Sequence, residues 1–309
     1  MNKIWDIAYK KIIFSTLCLL LLLLFYFVPS NEGFDIDVKG EIGSTLNENY
    51  VYLLDDDNYV SRVVSYYNSS NIYDEVKNRI NILKYGNVGF SSFYPLLNKN
   101  VRINNLKIDK NKIYLDFSSE FLNVNSYIEL PMVEAIVFSL TEINGIDEVY
   151  ISVDGVEFRN LPNSKMDIPY PLTRNIGINK EYNLNSFNDV VSTTIFFLKN
   201  IDGYEYYVPV TKVSNSIGDK IEIIVSELKS SVNAQSNLNG IISSNVNLVD
   251  YEVIGDKLDL VFNENIFSDG VILEEVKYMI SYSVFENYDV SEVVFNTLDI
   301  KNIEIVKKN

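Results

Sequence analysis

The segment Lys112–Phe117, Lys-Ile-Tyr-Leu-Asp-Phe, returns 145 positions later as Lys257–Phe262, Lys-Leu-Asp-Leu-Val-Phe. Apolar side chains fall on alternate positions of the first copy, as expected for a strand with one face toward a core. Apolar residues upstream repeat at the same offset: Ile72 and Ile217, Val76 and Ile221, Ile80 and Val225, and Leu83 and Leu228. The sequence therefore predicts two copies of one fold.

A second apolar stripe follows each strand at an offset of 144, after the loss of one residue. It pairs Ile128 with Ile272, Met132 with Val276, Ile136 with Ile280, and Leu140 with Val284. Spacings of three and four residues are typical of one face of a helix. What repeats is mainly the apolar skeleton, so the duplication predicts the fold and says little about activity.

Each copy is predicted to contain a hairpin, a helix, a second hairpin, a second helix and a closing strand. In the first copy these are 50–67, 72–85 with Asn71 as N-cap, 101–117, 130–143 and 147–153. In the second they are 191–213, a helix to 228 with Ser216 as N-cap, 248–262, 272–285 and 291–296. The predicted class is α+β, with two tandem small domains, each a mostly antiparallel sheet with two helices on one face.

The amino-terminal part of the chain predicts a membrane anchor. The run 12–28 is apolar except for Ser15, Thr16 and Cys18, and as a helix it would span about 25 Å. Lysines precede it and acidic residues follow it, which predicts a cytoplasmic amino terminus and domains outside the membrane. A signal peptide cleaved after Ser30 is the alternative. The predicted divisions are 1–11 cytoplasmic, 12–28 transmembrane, 29–47 stalk, 48–160 first domain, 161–189 linker and 190–309 second domain.

Composition excludes several kinds of chemistry. The chain has no histidine, which removes His-based acid–base catalysis, Ser-His and Cys-His nucleophile pairs and His metal sites. Its one cysteine, Cys18, lies in the apolar run, so the domains have no disulfide and no thiolate. A net charge of −16 argues against nucleic acid as a partner, because phosphate binding requires clustered basic residues.

Two groups of acidic residues are candidate sites, and each has a simpler explanation. The run Asp55-Asp56-Asp57 could bind Ca²⁺, which favours clustered carboxylates, or could be a solvated hairpin turn. The aligned turn of the second copy, Lys199-Asn200-Ile201-Asp202, lacks the cluster.

A carboxylate pair for glycoside hydrolysis could come from Asp116, Glu120 and Glu134, although the second copy has Val261 and Asn265 at the first two positions. The hydroxyls of Ser118 and Ser119 are better explained as caps than as nucleophiles. The tyrosines 204, 206 and 207 suit core packing or a contact surface. The sequence therefore assigns no catalytic, cofactor or metal residue.

The segment Lys112–Leu122, KIYLDFSSEFL, a helix, and then Gly145–Gly155, GIDEVYISVDG, resemble the signature of the GerM domain family. The resemblance covers 48–160 well and 190–309 more weakly. The second copy has Asn263-Glu264-Asn265 where the first has Ser118-Ser119-Glu120. Members of this family are often lipoproteins, whereas this chain is predicted to carry a helical anchor.

The resemblance implies a fold similar to the ring-building motifs of secretion systems, and a role in sporulation and spore germination. It also implies a place in the channel-like complex between mother cell and forespore. We therefore expect a non-enzymatic, membrane-tethered assembly protein with protein partners and no cofactor. An oligomeric ring is compatible with this expectation. A module that binds cell-wall glycan or peptide is the alternative, and an enzyme of cortex or wall turnover is a third interpretation.

Overall fold

The computed structural model describes residues 47–215, 218–229, 238, 240–301 and 303–308, together with Thr16. Apart from Thr16, the predicted cytoplasmic segment and anchor lie outside these residues, as does the predicted stalk up to residue 46. Within the described part of the chain, no helix is long and apolar enough to cross a membrane. Residues 46–309 form one compact unit.

The first copy contains β1 (Asn47–Asp55), β2 (Val60–Tyr67), α1 (Ile72–Tyr85), β3 (Phe93–Tyr94), β4 (Ile103–Asp109), β5 (Lys112–Phe117), α2 (Glu129–Thr141), β6 (Glu148–Val153) and β7 (Val156–Glu157). After β8 (Glu181–Asn183), the second copy contains β9 (Val191–Ile201), β10 (Tyr204–Ser214), α3 (Lys220–Lys229), β11 (Leu248–Ile254), β12 (Lys257–Phe262), α4 (Glu274–Asn287), β13 (Glu292–Thr297) and β14 (Glu304–Lys307). Short 3-10 helices occur at Ser119–Leu122, Arg174–Ile176 and Glu264–Ile266.

The boundaries of the first helix follow from local chemistry. The Asn71 side chain accepts a hydrogen bond of 3.0 Å from the Asp74 backbone N–H, which confirms the predicted N-cap. Gly86 ends α1 in the left-handed conformation at φ 65°, where a residue with a Cβ would be strained. Of the predicted apolar stripe, Val76, Ile80 and Leu83 are buried and Ile72 is half-buried.

The predicted duplication is confirmed in strand order and in register. One four-stranded sheet has the order β4-β5-β6-β7 and the other β11-β12-β13-β14. Lys112 pairs with Glu148 in the first, and Lys257 with Glu292 in the second. Both central pairs are parallel, because α2 and α4 carry the chain back to the same end of the sheet. The sheets are therefore mixed, with antiparallel outer pairs.

The prediction of one sheet per domain is wrong for the first hairpin of each copy. These hairpins join in one six-stranded sheet of order β3-β1-β2-β10-β8, with β9 paired to β10. The shared ladder is antiparallel, with Arg62 of β2 opposite Tyr207 of β10. The recorded pairing is this one residue pair, and it brings together the two edges that separate hairpins would leave exposed.

The second helix of each copy lies within the core rather than on an outer face. Every residue of α2 from Met132 to Leu140 is buried, and the helix contacts both β1 and β6. The Ser139 hydroxyl accepts a 2.9 Å hydrogen bond from the Tyr52 N–H, and Ser283 does the same for Phe196. The two contacts lie 144 positions apart, so the packing of helix on hairpin is repeated together with the sequence.

The segment 161–189 is ordered and packs against both copies. Leu172 forms a backbone bridge with Val149 of the first copy. Further along, β8 pairs in parallel with β10 of the second copy. Five apolar side chains of the segment are buried: Leu161, Ile168, Leu172, Ile176 and Ile178. The segment therefore contributes to the core.

Candidate functional site at the junction of the two copies

The pairing between the copies is completed by a side chain from residues 161–189, the connecting segment. Pro209 of β10 lacks an N–H and cannot donate to β2. The Asn179 side chain bridges β2 and β10 in place of the hydrogen bond that Pro209 cannot donate. Its Nδ2 donates to the Val60 carbonyl at 2.9 Å and to the Pro209 carbonyl at 2.7 Å. Its Oδ1 accepts from the Val60 N–H at 2.9 Å. One amide therefore fixes β2, β10 and the connecting segment together.

A buried ion pair joins the two hairpin ends. Lys199 donates from Nζ to Asp55 Oδ2 at 2.8 Å and to Asp57 Oδ2 at 2.6 Å. The Tyr206 and Ser61 hydroxyls donate to the same Asp55 oxygen, each at 3.1 Å. Asp55 is 1 % exposed and Lys199 5 %. The two residues occupy equivalent positions of the repeat, 144 apart.

These contacts contradict the solvated-turn interpretation for Asp55. The second carboxylate oxygen of Asp55 accepts from the N–H groups of Asp57 and Tyr59 at 3.0 and 2.9 Å and closes the turn. Both oxygens of Asp55 are therefore occupied by protein donors. A solvated turn is wrong for Asp55, and in the described residues no group of three or more acidic or Cys side chains could hold a metal ion.

A larger ionic cluster joins the ends of α2 and α4. Arg174 Nε lies 2.9 Å from both oxygens of Glu286, and one terminal nitrogen donates to Thr141 Oγ1 at 3.1 Å. Glu142 accepts from the Tyr52 hydroxyl at 2.7 Å, and its oxygen lies 3.6 Å from Arg174. Glu142 and Glu286 are again equivalent positions, 144 apart, so one arginine of the connecting segment binds both copies.

Arg62 completes this cluster from β2. Its guanidinium lies 3.4 Å from the ring centre of Tyr50 and 4.4 Å from that of Tyr282, between the two copies. Its Nε donates to Glu142 at 3.3 Å. Burial raises the pKa of Glu142, but Arg62 and Arg174 outweigh it and hold that pKa at about 2. The Glu142 carboxylate is therefore charged at neutral pH.

The three carboxylates considered for glycoside hydrolysis lie in three different environments. Asp116 accepts from the Ser152 hydroxyl at 2.7 Å and the Gly155 N–H at 2.8 Å, and the Ser152 hydrogen bond lowers its pKa. Glu120 is half-buried, and an Arg102 terminal nitrogen lies 3.7 Å from its Oε1.

Glu134 is buried in α2 and accepts from the Asn179 N–H at 3.1 Å, and burial raises its pKa to about 7. The three side chains therefore have separate hydrogen-bond partners rather than one shared site.

The remaining candidates take part in contacts within the chain. The Ser118 hydroxyl accepts from the Arg102 N–H at 3.0 Å, and Ser118 precedes the 3-10 helix that begins at Ser119. Tyr204 stacks on Phe90 with ring centres 3.9 Å apart. Tyr206 is buried against Asp55, and Tyr207 packs edge to face on Tyr282 at 5.0 Å. These tyrosines pack within the junction.

The junction was missed by sequence reasoning, although a signal for it existed. Positions 55 and 199 are equivalent in the repeat and carry opposite charges, and positions 142 and 286 are equivalent and both glutamate. Opposite charges at equivalent positions of two copies favour a contact between the copies, and two glutamates at equivalent positions favour a shared cation. Arg174 had no such signal, because the connecting segment is not repeated.

The fold and junction define a tandem α+β protein whose two copies are held together by a shared sheet and buried ion pairs. Residues 50–158 match the family model Germane, described as sporulation and spore germination. The chain is 34 % identical over 188 residues to the spore germination protein GerM of Bacillus subtilis strain 168, an alignment that covers 58 % of this chain and 51 % of that protein. The chain thus spans about half the length of this curated relative.

The structure of the tandem GerMN domains of the sporulation protein GerM from Bacillus subtilis aligns with a TM-score of 0.78 at 26 % identity. This alignment covers 86 % of this chain and 98 % of that structure. The chain is a GerM-like protein, and its two copies correspond to tandem GerMN domains.

Proposed function

We propose that this chain is a membrane-anchored extracytoplasmic assembly protein of sporulation, which holds protein partners together and catalyses no reaction. The likeness to GerM supports a role in sporulation. The finer part of the proposal places the protein in the channel-like complex between mother cell and forespore. It also uses the apolar run 12–28 as the anchor, which confines the domains to one membrane and raises their effective concentration there.

The junction is the observation that carries this proposal. A shared sheet, the Asp55–Lys199 pair and the Arg174 cluster keep the two copies in one geometry. An assembly protein requires fixed spacing between its docking surfaces, because flexibility would cost entropy at each binding step. Buried ion pairs suit this role, since their hydrogen bonds form in a single well-defined arrangement.

Exposed strand edges supply the surfaces for docking. In the described part of the chain, β4 pairs only with β5 and β11 only with β12, so each has a free outer edge. Such an edge offers backbone N–H and C=O groups to a strand from a partner. The β11 edge also carries Val249, Val253 and Ile254, each about half exposed. We propose β11 as the principal docking strand.

The carboxylates support a role without catalysis. Asp116 has a lowered pKa and is bound by Ser152 and Gly155, whereas Glu134 is buried against Asn179. General acid–base hydrolysis of a glycoside requires two carboxyl groups facing one substrate. Asp116 and Glu134 lie on different elements and have different hydrogen-bond partners, so we assign them separate structural roles.

Crosslinking in sporulating cells tests the docking proposal. A photo-crosslinking residue at position 253 on β11 is expected to capture a defined membrane-complex protein, and the same residue at exposed Val156 of β7 serves as the control. The variant Val253→Lys should lower sporulation efficiency while Val156→Lys leaves it unchanged. Equal capture at both positions, or normal sporulation of Val253→Lys, would remove β11 from the proposal.

Protease accessibility tests the anchor and its orientation. Protease added outside the cytoplasmic membrane is expected to digest both copies and to spare only the amino-terminal segment. A protected fragment that contains both copies would reverse the orientation. A mature amino terminus near Asn31 would instead support the cleaved signal peptide.

A further inference from the structure

An open cleft of about 170 Å³ lies in the first copy, where the carboxyl-terminal half of α1 faces the end of β2. Three tyrosines and three asparagines contribute to its lining: Tyr66, Tyr67, Tyr85, Asn78, Asn81 and Asn87. Pockets that enclose drug-sized molecules hold roughly 300–1,000 Å³. This cleft therefore suits one small unit of a longer ligand.

The side chains that line the cleft offer hydrogen bonds, and none of them is charged. Within the described residues, the Asn81 and Asn87 side-chain amides form no hydrogen bond of their own, and each can both donate and accept. The Tyr67 hydroxyl is buried and lacks a hydrogen-bond partner in that same part of the chain. Burial raises the pKa of Tyr67 to about 12, so the hydroxyl remains a donor. A buried donor without an acceptor is costly, which favours a ligand that supplies one.

Two exposed aromatic rings border these polar groups. Tyr66 is 57 % exposed and Tyr85 is 52 % exposed. The Lys84 ammonium lies 5.3 Å from the ring centre of Tyr85 and interacts with that ring. An aromatic ring presents an apolar face, and the tyrosine hydroxyl adds a polar tip. Apolar faces beside neutral hydrogen-bonding groups match the surface of a pyranose ring, which has C–H groups on its faces and hydroxyls around its edge.

We propose that this cleft binds one residue of an uncharged glycan. The tyrosine rings contact the face of the sugar, while Asn81, Asn87 and the Tyr67 hydroxyl bind its hydroxyl or acetamido groups. A phosphate or carboxylate ligand would require a basic side chain, and none is among the residues that line the cleft. The site goes beyond the proposed assembly role and does not depend on it.

The second copy provides an internal control for this site. The strand pairs Tyr52–Arg62 and Phe196–Pro209 set the equivalence of the β2 and β10 positions, which places Val213 at the position of Tyr66 and Ser214 at that of Tyr67. On the helix, Ile223 and Ser226 replace Asn78 and Asn81. The second copy therefore lacks the aromatic and amide groups, and glycan binding should be confined to the first.

Titration of the full chain with the tetrasaccharide of N-acetylglucosamine tests the site, with side-chain amide NMR signals as the readout. Saturable shifts are expected for the asparagines of the cleft. Tyr67→Phe and Asn81→Ala should each weaken binding by about fivefold to tenfold, the effect of one lost hydrogen bond. Tyr127→Phe, at an exposed position outside the cleft, should bind as the parent does.

Two comparisons decide whether the cleft binds a glycan: Tyr67→Phe against the parent, and the glycan against a cell-wall peptide. Tyr67→Phe keeps the ring and removes only a buried, unpartnered hydroxyl, so its melting temperature should not fall below that of the parent and its affinity is interpretable. Absence of saturation, or equal affinity in Tyr67→Phe and the parent, would overturn the proposal. Binding of a cell-wall stem pentapeptide in place of the glycan would overturn it as well. Neither result bears on the crosslinking test of β11.

Discussion

Replacing Arg174 by methionine should be among the most destabilising single changes at the junction. Arg174 contacts both oxygens of Glu286 and also reaches Thr141 and Glu142, so it connects the ends of α2 and α4. Methionine preserves most of the apolar stem and removes the guanidinium. Glu286, whose side chain is 9 % exposed, would then be left without its cation.

The size of the effect follows from this burial. Removing one partner of a buried ion pair costs about 3–5 kcal/mol, because the other charge stays desolvated and unpaired. The Arg174 side chain is 26 % exposed, so water compensates in part and we expect about 3 kcal/mol. For a unit of this size that loss lowers the melting temperature by about 6–12 °C.

A double-mutant cycle separates the ion pair from the lost packing. Glu286→Gln removes the stranded charge, so the double variant Arg174→Met with Glu286→Gln should be less destabilised than the sum of the two single variants. The free energies of unfolding come from urea titrations followed by circular dichroism. Arg159 is the matched control, because its pair with Glu157 is more than half exposed and Arg159→Met should change stability by less than about 0.5 kcal/mol. If Arg174→Met melts with the parent, or the cycle is additive, the cluster does not hold the copies together.

Three further predictions use other buried groups. Glu134→Gln should raise the free energy of unfolding at pH 8 by up to about 3 kcal/mol and leave it unchanged near pH 4. The pKa of Glu134 is about 7 in the folded chain and 4.5 ordinarily, so the stability that its protonated form confers is lost as pH rises from 4.5 through 7. An equal gain in the free energy of unfolding at both pH values would exclude titration of Glu134 as the cause. Ile136→Asp and Ile280→Asp each bury an unpaired carboxylate at a fully buried helix position and should cost several kcal/mol, roughly the stability of a small domain. Because the copies share a sheet, hydrogen exchange should quicken in both, and loss of protection in the mutated copy alone would contradict the shared sheet. Asp55→Asn should lower stability by about 2–3 kcal/mol, whereas Asp56→Asn, on an exposed neighbour, should stay within about 0.5 kcal/mol; thermal melts that coincide would show that the Asp55 ion pair contributes nothing.

The sequence by itself determined the units that depend on neighbours along the chain. The stripe of Val76, Ile80 and Leu83, the cap at Asn71 and the alternation in Lys112–Phe117 each reflect a period or a hydrogen bond within a few residues, and the structure confirms all three. The repeat added more than local order. It predicted that two distant segments would share one strand order, because equal apolar spacing is buried in an equal way.

Only the tertiary structure decided how the two copies meet. Nothing in the pattern of β2 indicates that its free edge pairs with β10, since an edge can be covered by any strand of suitable register. From the sequence, Asp55 is expected to be a solvated acid in a turn. In the structure it is buried against Lys199, which lies 144 residues away along the chain. The sequence around Arg174 indicates only a polar connecting segment. The structure shows that the ends of α2 and α4 meet at this arginine. Burial and charge pairing are properties of the assembled chain, so these roles follow from three-dimensional proximity, which local sequence does not encode.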